Sequence, residues 1–180
     1  MANPTPVDRL YGEASAIARA LEEKGEVSLQ VAASDSLRKS LLLAAASHFE
    51  QCLCEVVLEF VRERAGGSVV VAEFVRNKAV SRQYHTWFNW DESNANHFFG
   101  LFGPIFRSSM IARVKTSDLL RDSIRAFLEI GNDRNRLIHQ DYATFPLEKT
   151  MEEIYGLYQK AHLFVDTLGQ TLRESDMDGK

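Results

Sequence analysis

The sequence predicts an all-α fold, a helical bundle with long helices. Apolar residues recur every three or four positions almost throughout the chain, which is the spacing of one helix face. No repeat, linker or low-complexity tract divides the chain. The chain has 180 residues, of which 45% are hydrophobic and 26% charged. This length and this proportion of apolar to charged residues are typical of one globular domain. We therefore expect a single helical domain over residues 1–180.

The first two predicted helices are separated by a glycine turn. The first runs from Val7 to Gly25 along an apolar stripe of Val7, Leu10, Tyr11, Ala14, Ala18 and Leu21. Ser34 or Ser36 is expected to cap the second helix, which is long. The pair Gly66-Gly67 ends that helix, because glycine readily adopts the left-handed conformation that follows many helices.

The middle of the chain is less regular. Ser68 opens a third candidate helix over Val69 to Val80. Its opening valine run has strand propensity, but the apolar residues that follow without a turn signal favour a helix. The next stretch is expected to hold a loop around Asp91 to Asn96 and then a short helix through Phe98 to Phe102. The Gly103-Pro104 pair would kink or end that helix.

A clear amphipathic helix follows. Thr116 or Ser117 is expected to cap it, since a hydroxyl can accept a hydrogen bond from the free backbone N–H groups of the first turn. The stretch from Gly131 to Asp133 interrupts the apolar pattern, and Asn135 to His139 resumes it. The sequence therefore predicts a break in this helix.

The last predicted helix runs from Leu147 to about Leu172. Thr144 and Pro146 are expected to start it, because proline fits the first turn of a helix, where its missing N–H would have no partner. This helix completes the predicted bundle.

Composition and charge exclude several classes of protein. A chain of this size and balance is not collagen, a disordered segment or a disulfide scaffold. Its net charge of −4 argues against coating nucleic acid through bulk charge, although a local basic site stays open. No apolar run approaches ~18 residues, and the N-terminus lacks the basic and apolar regions of a signal peptide. We therefore expect a cytoplasmic protein with no membrane partner.

The sequence gives no sign of a metal or cofactor site. No phosphate-loop, dinucleotide, zinc-protease or hydrolase motif occurs, and the five histidines show no metal-ligand spacing. On a helix the side chains of Cys52 and Cys54 point about 200° apart, so they cannot share a metal or a bridge. We expect two small buried thiols, no metal and no cofactor.

One segment combines residues that suit phosphodiester cleavage: Arg134, Asn135, Arg136 and His139 fall within six residues. On a helix Asn135 and His139 lie one turn apart on one face, and the long Arg134 side chain can reach back to them. An imidazole can move a proton near neutral pH, and a guanidinium can hold a phosphate bidentately. These residue types at this spacing point to acid–base chemistry on a phosphate ester.

A plain structural interpretation stands beside this one. A histidine and an arginine about one turn apart on a solvated helix occur often by chance. Arg134 can simply pair with Asp133, Glu129 or Asp141. The segment alone therefore does not decide between catalysis and an ordinary surface helix.

Three aromatic residues upstream have two interpretations as well. Trp87, Phe88 and Trp90 can stack on RNA bases, or they can pack in the core or a dimer interface. Packing is the interpretation that the sequence favours.

The segment from Arg134 to His139 resembles the RxxxxH motif of the HEPN superfamily (higher eukaryotes and prokaryotes nucleotide-binding domains). Asn135 fits the family's usual Asn, Asp or His after the arginine. The stretch from Asn96 to Gly103 is similar to one in the RiboL-PSP and MAE groups of that superfamily. The long upstream helix is similar to the family's second core helix at Ser47, Phe49 and Glu50. The resemblance covers about residues 34–172, which would form the domain core.

The resemblance implies a metal-independent endoribonuclease that works as a homodimer, with two copies of the motif meeting at the interface. His139 would act on the 2′-hydroxyl or the leaving 5′-oxygen of RNA, and Arg134 would stabilise the phosphate. Asn135 would orient the imidazole or a phosphate oxygen. Arg136 would contact RNA, unless it is only a solvated helix position. Many such ribonucleases are toxins or antiviral effectors, and an antitoxin or other regulatory protein is the partner this implies.

Two other functions stay open. Some members of the superfamily have lost catalysis, so a non-catalytic nucleotide-binding or protein-interaction module is the first alternative. An unrelated helical bundle with a structural role is the second. Catalysis requires Arg134 and His139 on the surface, converging on their symmetry mates, whereas a binding module can have them buried or ion-paired.

Overall fold

The computed structural model describes the backbone of residues 3–177 and the side chains of residues 3–174. Within that part of the chain the backbone forms helices and turns and no β-strand, which confirms the all-α prediction. A π-helical turn (Arg76–Val80) and a 3-10 turn (Tyr84–Thr86) lie in the middle of the chain. The α-helices are α1 (Pro6–Glu23), α2 (Val27–Arg64), α3 (Val69–Val75), α4 (Asn96–Gly100), α5 (Pro104–Thr116), α6 (Asp118–His139) and α7 (Met151–Met177).

The chain divides into two compact units. The first, which we call the motif unit, comprises residues up to 48 and residues 130–159, and it contains the segment from Arg134 to His139. The second, which we call the aromatic unit, comprises residues 49–129 and the chain from residue 160 onward. Helices α2, α6 and α7 each contribute to both units, so each unit is built from segments that are distant in the sequence.

In the motif unit, the start of α1 is docked on the first turns of α7. Thr5 caps α1 through reciprocal hydrogen bonds with Asp8. The hydroxyl of Tyr158 donates a hydrogen bond to Thr5 Oγ1, and that of Tyr155 donates to Asp8 Oδ1, both at 2.9 Å. The ring of Tyr155 stacks on Tyr11 with centroids 4.0 Å apart. The cap of α1 therefore serves the tertiary structure as well as the helix itself.

The core of the aromatic unit is a cluster of packed rings. Phe88 stacks on Phe98 with centroids 4.6 Å apart, and Phe127 and Trp90 lie 4.9 Å and 5.0 Å from Phe88. Trp87 and Phe88 are 5% and 3% exposed, so neither can present its face to an RNA base. Core packing is therefore confirmed for Trp87 and Phe88, and Trp90 packs on the same cluster.

Helix α2 begins at Val27, well before Ser34 and Ser36, so the predicted cap of this helix is wrong. The turn that precedes it is made by Gly25, whose φ is +70°. Between that glycine and Gly66 the sequence holds no glycine or proline, and serines inside a helix weaken it only slightly. The helix therefore starts directly after the turn, and its end before Gly66 is as predicted.

The shorter helices of the aromatic unit follow the prediction in part. Ser68 caps α3, and the helical turns continue to Val80 as the sequence favours. Helix α4 is the predicted short helix. Helix α5 was not predicted. It begins at Pro104, so the proline that was expected to end one helix also begins the next.

Helix α6 runs without a break from Asp118 to His139, so the predicted interruption at Gly131 is wrong. A glycine inside a helix costs about 1 kcal/mol relative to alanine, and the full burial of Leu137 outweighs that cost. The hydroxyl of Ser117 accepts a hydrogen bond from Leu120 N at 3.2 Å, which confirms one of the two predicted caps. The candidate site therefore lies in the last turns of one uninterrupted helix.

Helix α7 begins at Met151, later than the start that Pro146 predicted. A capping box fixes this start: Glu153 N donates to Thr150 Oγ1 at 3.1 Å, and Thr150 N donates to Glu153 Oε2 at 2.8 Å. These bonds satisfy two backbone N–H groups, which a proline cannot do. Residues 140–150 therefore form a connection between α6 and α7.

By length and composition, helix α2 could cross a membrane. An 18-residue window of it has a mean hydropathy of 1.4, and 33% of that window is buried. The expectation that the chain has no membrane-spanning helix stays a prediction. The core helix of a soluble protein meets the same test, so a single such helix is weak evidence for a membrane span.

Candidate active site

The four predicted site residues lie in the last turns of α6. His139, the final residue of the helix, is exposed, and so is Arg136, whose side chain is 57% exposed. Arg134 and Asn135 are half-buried. Leu137, within the same turns, is fully buried and anchors this end of the helix in the motif unit. The structure therefore brings all four residues to one anchored helix end, with His139 and Arg136 in solvent.

Arg134 and Asn135 are bonded to each other. Arg134 Nη1 donates a hydrogen bond to Asn135 Oδ1 at 3.0 Å. An amide oxygen holds a guanidinium in place without adding a negative charge. In this structure Asn135 is therefore one of the groups that hold the arginine, while its implied role toward the imidazole stays a prediction.

The imidazole of His139 faces solvent. No residue in the described part of the chain makes a hydrogen bond or ion pair with its ring. Both ring nitrogens are thus open to a substrate group, which a residue that takes up and delivers protons requires. Asn135 lies one turn earlier on the same helix face.

Asp133 is a buried carboxylate that holds two cations. Its Oδ2 accepts a hydrogen bond from Lys149 Nζ at 2.7 Å, and its Oδ1 lies 3.6 Å from Arg136 Nη1. The guanidinium of Arg136 also lies over the ring of Phe145, with Cζ 5.5 Å from the ring centroid. Asp133 therefore ties the end of α6 to the connection that follows it.

A buried cation, Lys39, holds the chain just beyond His139. Lys39, on α2, is 2% exposed. Its Nζ donates a hydrogen bond to the carbonyl oxygen of Tyr142 at 2.9 Å and lies 2.7 Å from Asp35 Oδ2. A buried ammonium is tolerated only when it is paired in this way. Helix α2 therefore fixes the backbone three residues after the imidazole.

Sequence reasoning missed Lys39, Phe145 and Lys149. The pair of Asp133 and Arg136 has the i, i+3 spacing of helical neighbours, which is a readable signal. The three missed residues meet the site only because the connection after His139 folds back, and no periodic pattern marks that course.

The cysteines lie outside this chemistry. Neither Cys52 nor Cys54 is in a disulfide, and both are half-buried, so they are more exposed than predicted. Burial raises the pKa of both thiols, that of Cys54 to about 11. A thiol is a nucleophile only as the thiolate, so the raised pKa values disfavour nucleophilic chemistry at these cysteines. Among the residues described, no group of three or more His, Cys, Asp or Glu side chains could hold a metal ion.

The end of α6 therefore carries an open imidazole and, five residues earlier, a guanidinium bonded to Asn135. The imidazole can accept or donate a proton near neutral pH, and the guanidinium can bind two oxygens of a phosphate. One copy of the segment carries one imidazole, which can act as the base or as the acid in a given step but not as both. The arrangement suits reaction at a phosphate ester and supplies one imidazole per chain.

A comparison with protein families matches the chain over most of its length. The family described as RiboL-PSP-HEPN matches residues 9–174, which include all four predicted site residues. Searches of curated proteins and of solved structures give no match.

Proposed function

The chain belongs to the RiboL-PSP-HEPN family, a group of HEPN-type domains that are commonly ribonucleases, and we propose that this chain is itself a metal-independent endoribonuclease. The observation that carries the proposal is the open imidazole of His139 at the same helix end as the bonded pair of Arg134 and Asn135. A buried or ion-paired His139 would instead have favoured the non-catalytic module.

In the proposed reaction, His139 of one subunit accepts the proton of an RNA 2′-hydroxyl, and the 2′-oxygen attacks the adjacent phosphorus. His139 of the partner subunit donates a proton to the 5′-oxygen as its bond to phosphorus breaks. The products are a 2′,3′-cyclic phosphate and a free 5′-hydroxyl. Exchange with water then returns each imidazole to its starting protonation state.

Arg134 supplies the electrostatic part of the proposed mechanism. The phosphate gains negative charge on its non-bridging oxygens as the fifth bond forms, and a guanidinium directed at those oxygens stabilises that charge. The bond from Arg134 to Asn135 holds the guanidinium before substrate binds, so less of its rotational freedom is lost in the reaction. Arg136 contacts the RNA outside the reacting phosphate.

We propose a two-fold homodimer because one chain brings one imidazole to the site. A symmetric pairing of two α6 ends would supply both the base and the acid. Ile138 and Tyr142, on either side of His139, are each 44% exposed. Apolar side chains in such a position support contact between the two copies.

We propose that the protein is a cytoplasmic toxin or antiviral defence effector. A ribonuclease that needs no cofactor is active wherever RNA is present, so a cell must restrain it by other means. An antitoxin or another regulatory protein that covers the exposed end of α6 would serve this purpose.

We expect RNA cleavage to persist in EDTA, with a rate within about twofold of that in Mg²⁺, because no step of the mechanism uses a metal ion. The measurement is cleavage of end-labelled RNA, with identification of 2′,3′-cyclic phosphate ends by mass spectrometry. A Mg²⁺-dependent nuclease in the same buffers confirms that the chelator works. Activity that EDTA removes and Mg²⁺ or Mn²⁺ restores would mean that the mechanism is wrong.

We expect excess His139→Ala protein to inhibit the wild-type chain. When the two are refolded together with the mutant in tenfold excess, wild-type activity should fall to about one-tenth, because most wild-type chains then have a mutant partner. Activity per wild-type chain and light scattering across a dilution series measure this effect. An unrelated protein in the same excess is the control. Unchanged activity from a chain that scatters as a monomer would contradict the dimer.

A further inference from the structure

We propose that the cleft beside Arg136 binds the nucleobase next to the cleaved phosphate. The proposal rests on the proposed function, since it names the part of an RNA substrate that the same site recognises. The base would stack on the guanidinium of Arg136 while the phosphate next to it lies at His139.

The position of the cleft supports this placement. It has a volume of about 230 Å³ and is lined by Arg136, Phe145, Leu147 and Lys149 among others. Arg136 precedes His139 by three residues, so the two side chains leave α6 about 60° apart and within one turn. A group bound at Arg136 therefore lies next to a phosphate bound at His139.

Arg136 is built as a stacking surface. Phe145, which is 4% exposed, lies under its guanidinium, and Asp133 holds the Nη1 edge at 3.6 Å. With these two contacts in place, the Arg136 side chain is still 57% exposed. A planar guanidinium that packs over a ring, on a side chain more than half exposed, is the kind of group on which unpaired RNA bases stack.

The charge of the cleft favours a base over a phosphate. Its lining contains two cations, Arg136 and Lys149, and three carboxylates, Asp133, Glu148 and Glu153. Lys149 pairs with Asp133, and Glu153 accepts the capping bond from the start of α7. A surplus of carboxylates repels phosphate oxygens, whereas it accepts hydrogen bonds from the N–H groups of a base edge.

The test combines a change in the protein with a change in the RNA. Arg136→Lys keeps the charge but removes the flat stacking surface. In short RNAs an abasic site is placed at each position around the cleaved bond. For the wild type, we expect an abasic site at one position next to the cleaved bond to lower kcat/KM about tenfold. In Arg136→Lys the same abasic site should cause no further loss, because the stacking between this base and Arg136 is already absent.

Arg125→Lys is the matched control. Arg125 lies on the same helix, its side chain is 55% exposed, and it pairs with an aspartate three residues earlier as Arg136 does. It should keep the full abasic effect. The inference is overturned if no abasic site matters, or if Arg136→Lys responds to the abasic site as the wild type does.

Binding separates this inference from the proposed function. The same RNAs are titrated into the His139→Ala protein, with and without Arg136→Lys, and followed by fluorescence anisotropy. A loss of affinity that requires both Arg136 and the base supports the inference, whether or not the wild type cleaves RNA. A wild type that cleaves no RNA would refute only the proposed function. RNA cleavage without this dependence would refute only the inference.

Discussion

His139→Ala is expected to lower kcat for RNA cleavage by about 10²–10⁴-fold, the usual contribution of a general acid–base group. The loss should appear in kcat more than in KM, because the imidazole acts on protons that move only in the reaction itself. The side chain is exposed and at a helix end, so its removal should leave the fold intact. Initial rates over a range of RNA concentrations, with circular dichroism and thermal unfolding, measure both properties.

His85→Ala is the matched control for this variant. His85 is also an exposed histidine, but it lies in the aromatic unit, outside the motif. It should cleave RNA at the wild-type rate. A well-folded His139→Ala protein that cleaves as fast as the His85→Ala control would remove the histidine from the mechanism. It would then favour the non-catalytic nucleotide-binding or interaction module.

Arg134→Ala is expected to lower kcat by about 10²–10³-fold, because in the proposed mechanism this residue stabilises the charge on the phosphate. Arg134→Lys should recover part of this loss, since it restores the charge but not the two-pronged geometry. Asn135 has a separate signature. Asn135→Ala removes the 3.0 Å bond to the guanidinium, so it should lower kcat less than Arg134→Ala does and should cause no further loss in the Arg134→Ala background.

Arg121→Ala is the control for the loss of an arginine from α6. Arg121 is 37% exposed and pairs with Asp118 three residues earlier, and it lies far along the helix from His139. It should retain wild-type cleavage. If Arg121→Ala and Arg134→Ala lose activity equally, the loss reflects general weakening of RNA binding by the helix, and Arg134 has no special role.

Most helices could be predicted because the local signals agree with the packing. The stripe from Val7 to Leu21, the stop at Gly66 and the cap at Ser117 each rest on neighbours in the sequence. The predicted start of α7 and the predicted break in α6 were wrong because another interaction outweighed the local signal. The Thr150–Glu153 box starts α7 in place of Pro146, and the burial of Leu137 carries α6 through Gly131.

The sequence could predict only the part of the candidate site that lies on one helix. Arg134, Asn135, Arg136 and His139 share the end of α6, so their spacing alone brought them together. The contacts of Lys39 with Tyr142, and of Phe145 and Lys149 with the residues of α6, depend on the course of residues 140–150. Contacts made by an irregular connection leave no periodic signal in the sequence.

The motif unit is built from two segments that are distant in the sequence, and this has a consequence for the order of folding. Its first part ends at residue 48 and its second begins at residue 130, so the whole segment between them must leave the ribosome before the two can meet. Tyr155 and Tyr158 reach back to Asp8 and Thr5 across nearly the full chain. Contacts over such separations carry the greatest loop-closure entropy and form late. The nascent protein is therefore without a completed motif unit until α7 has emerged.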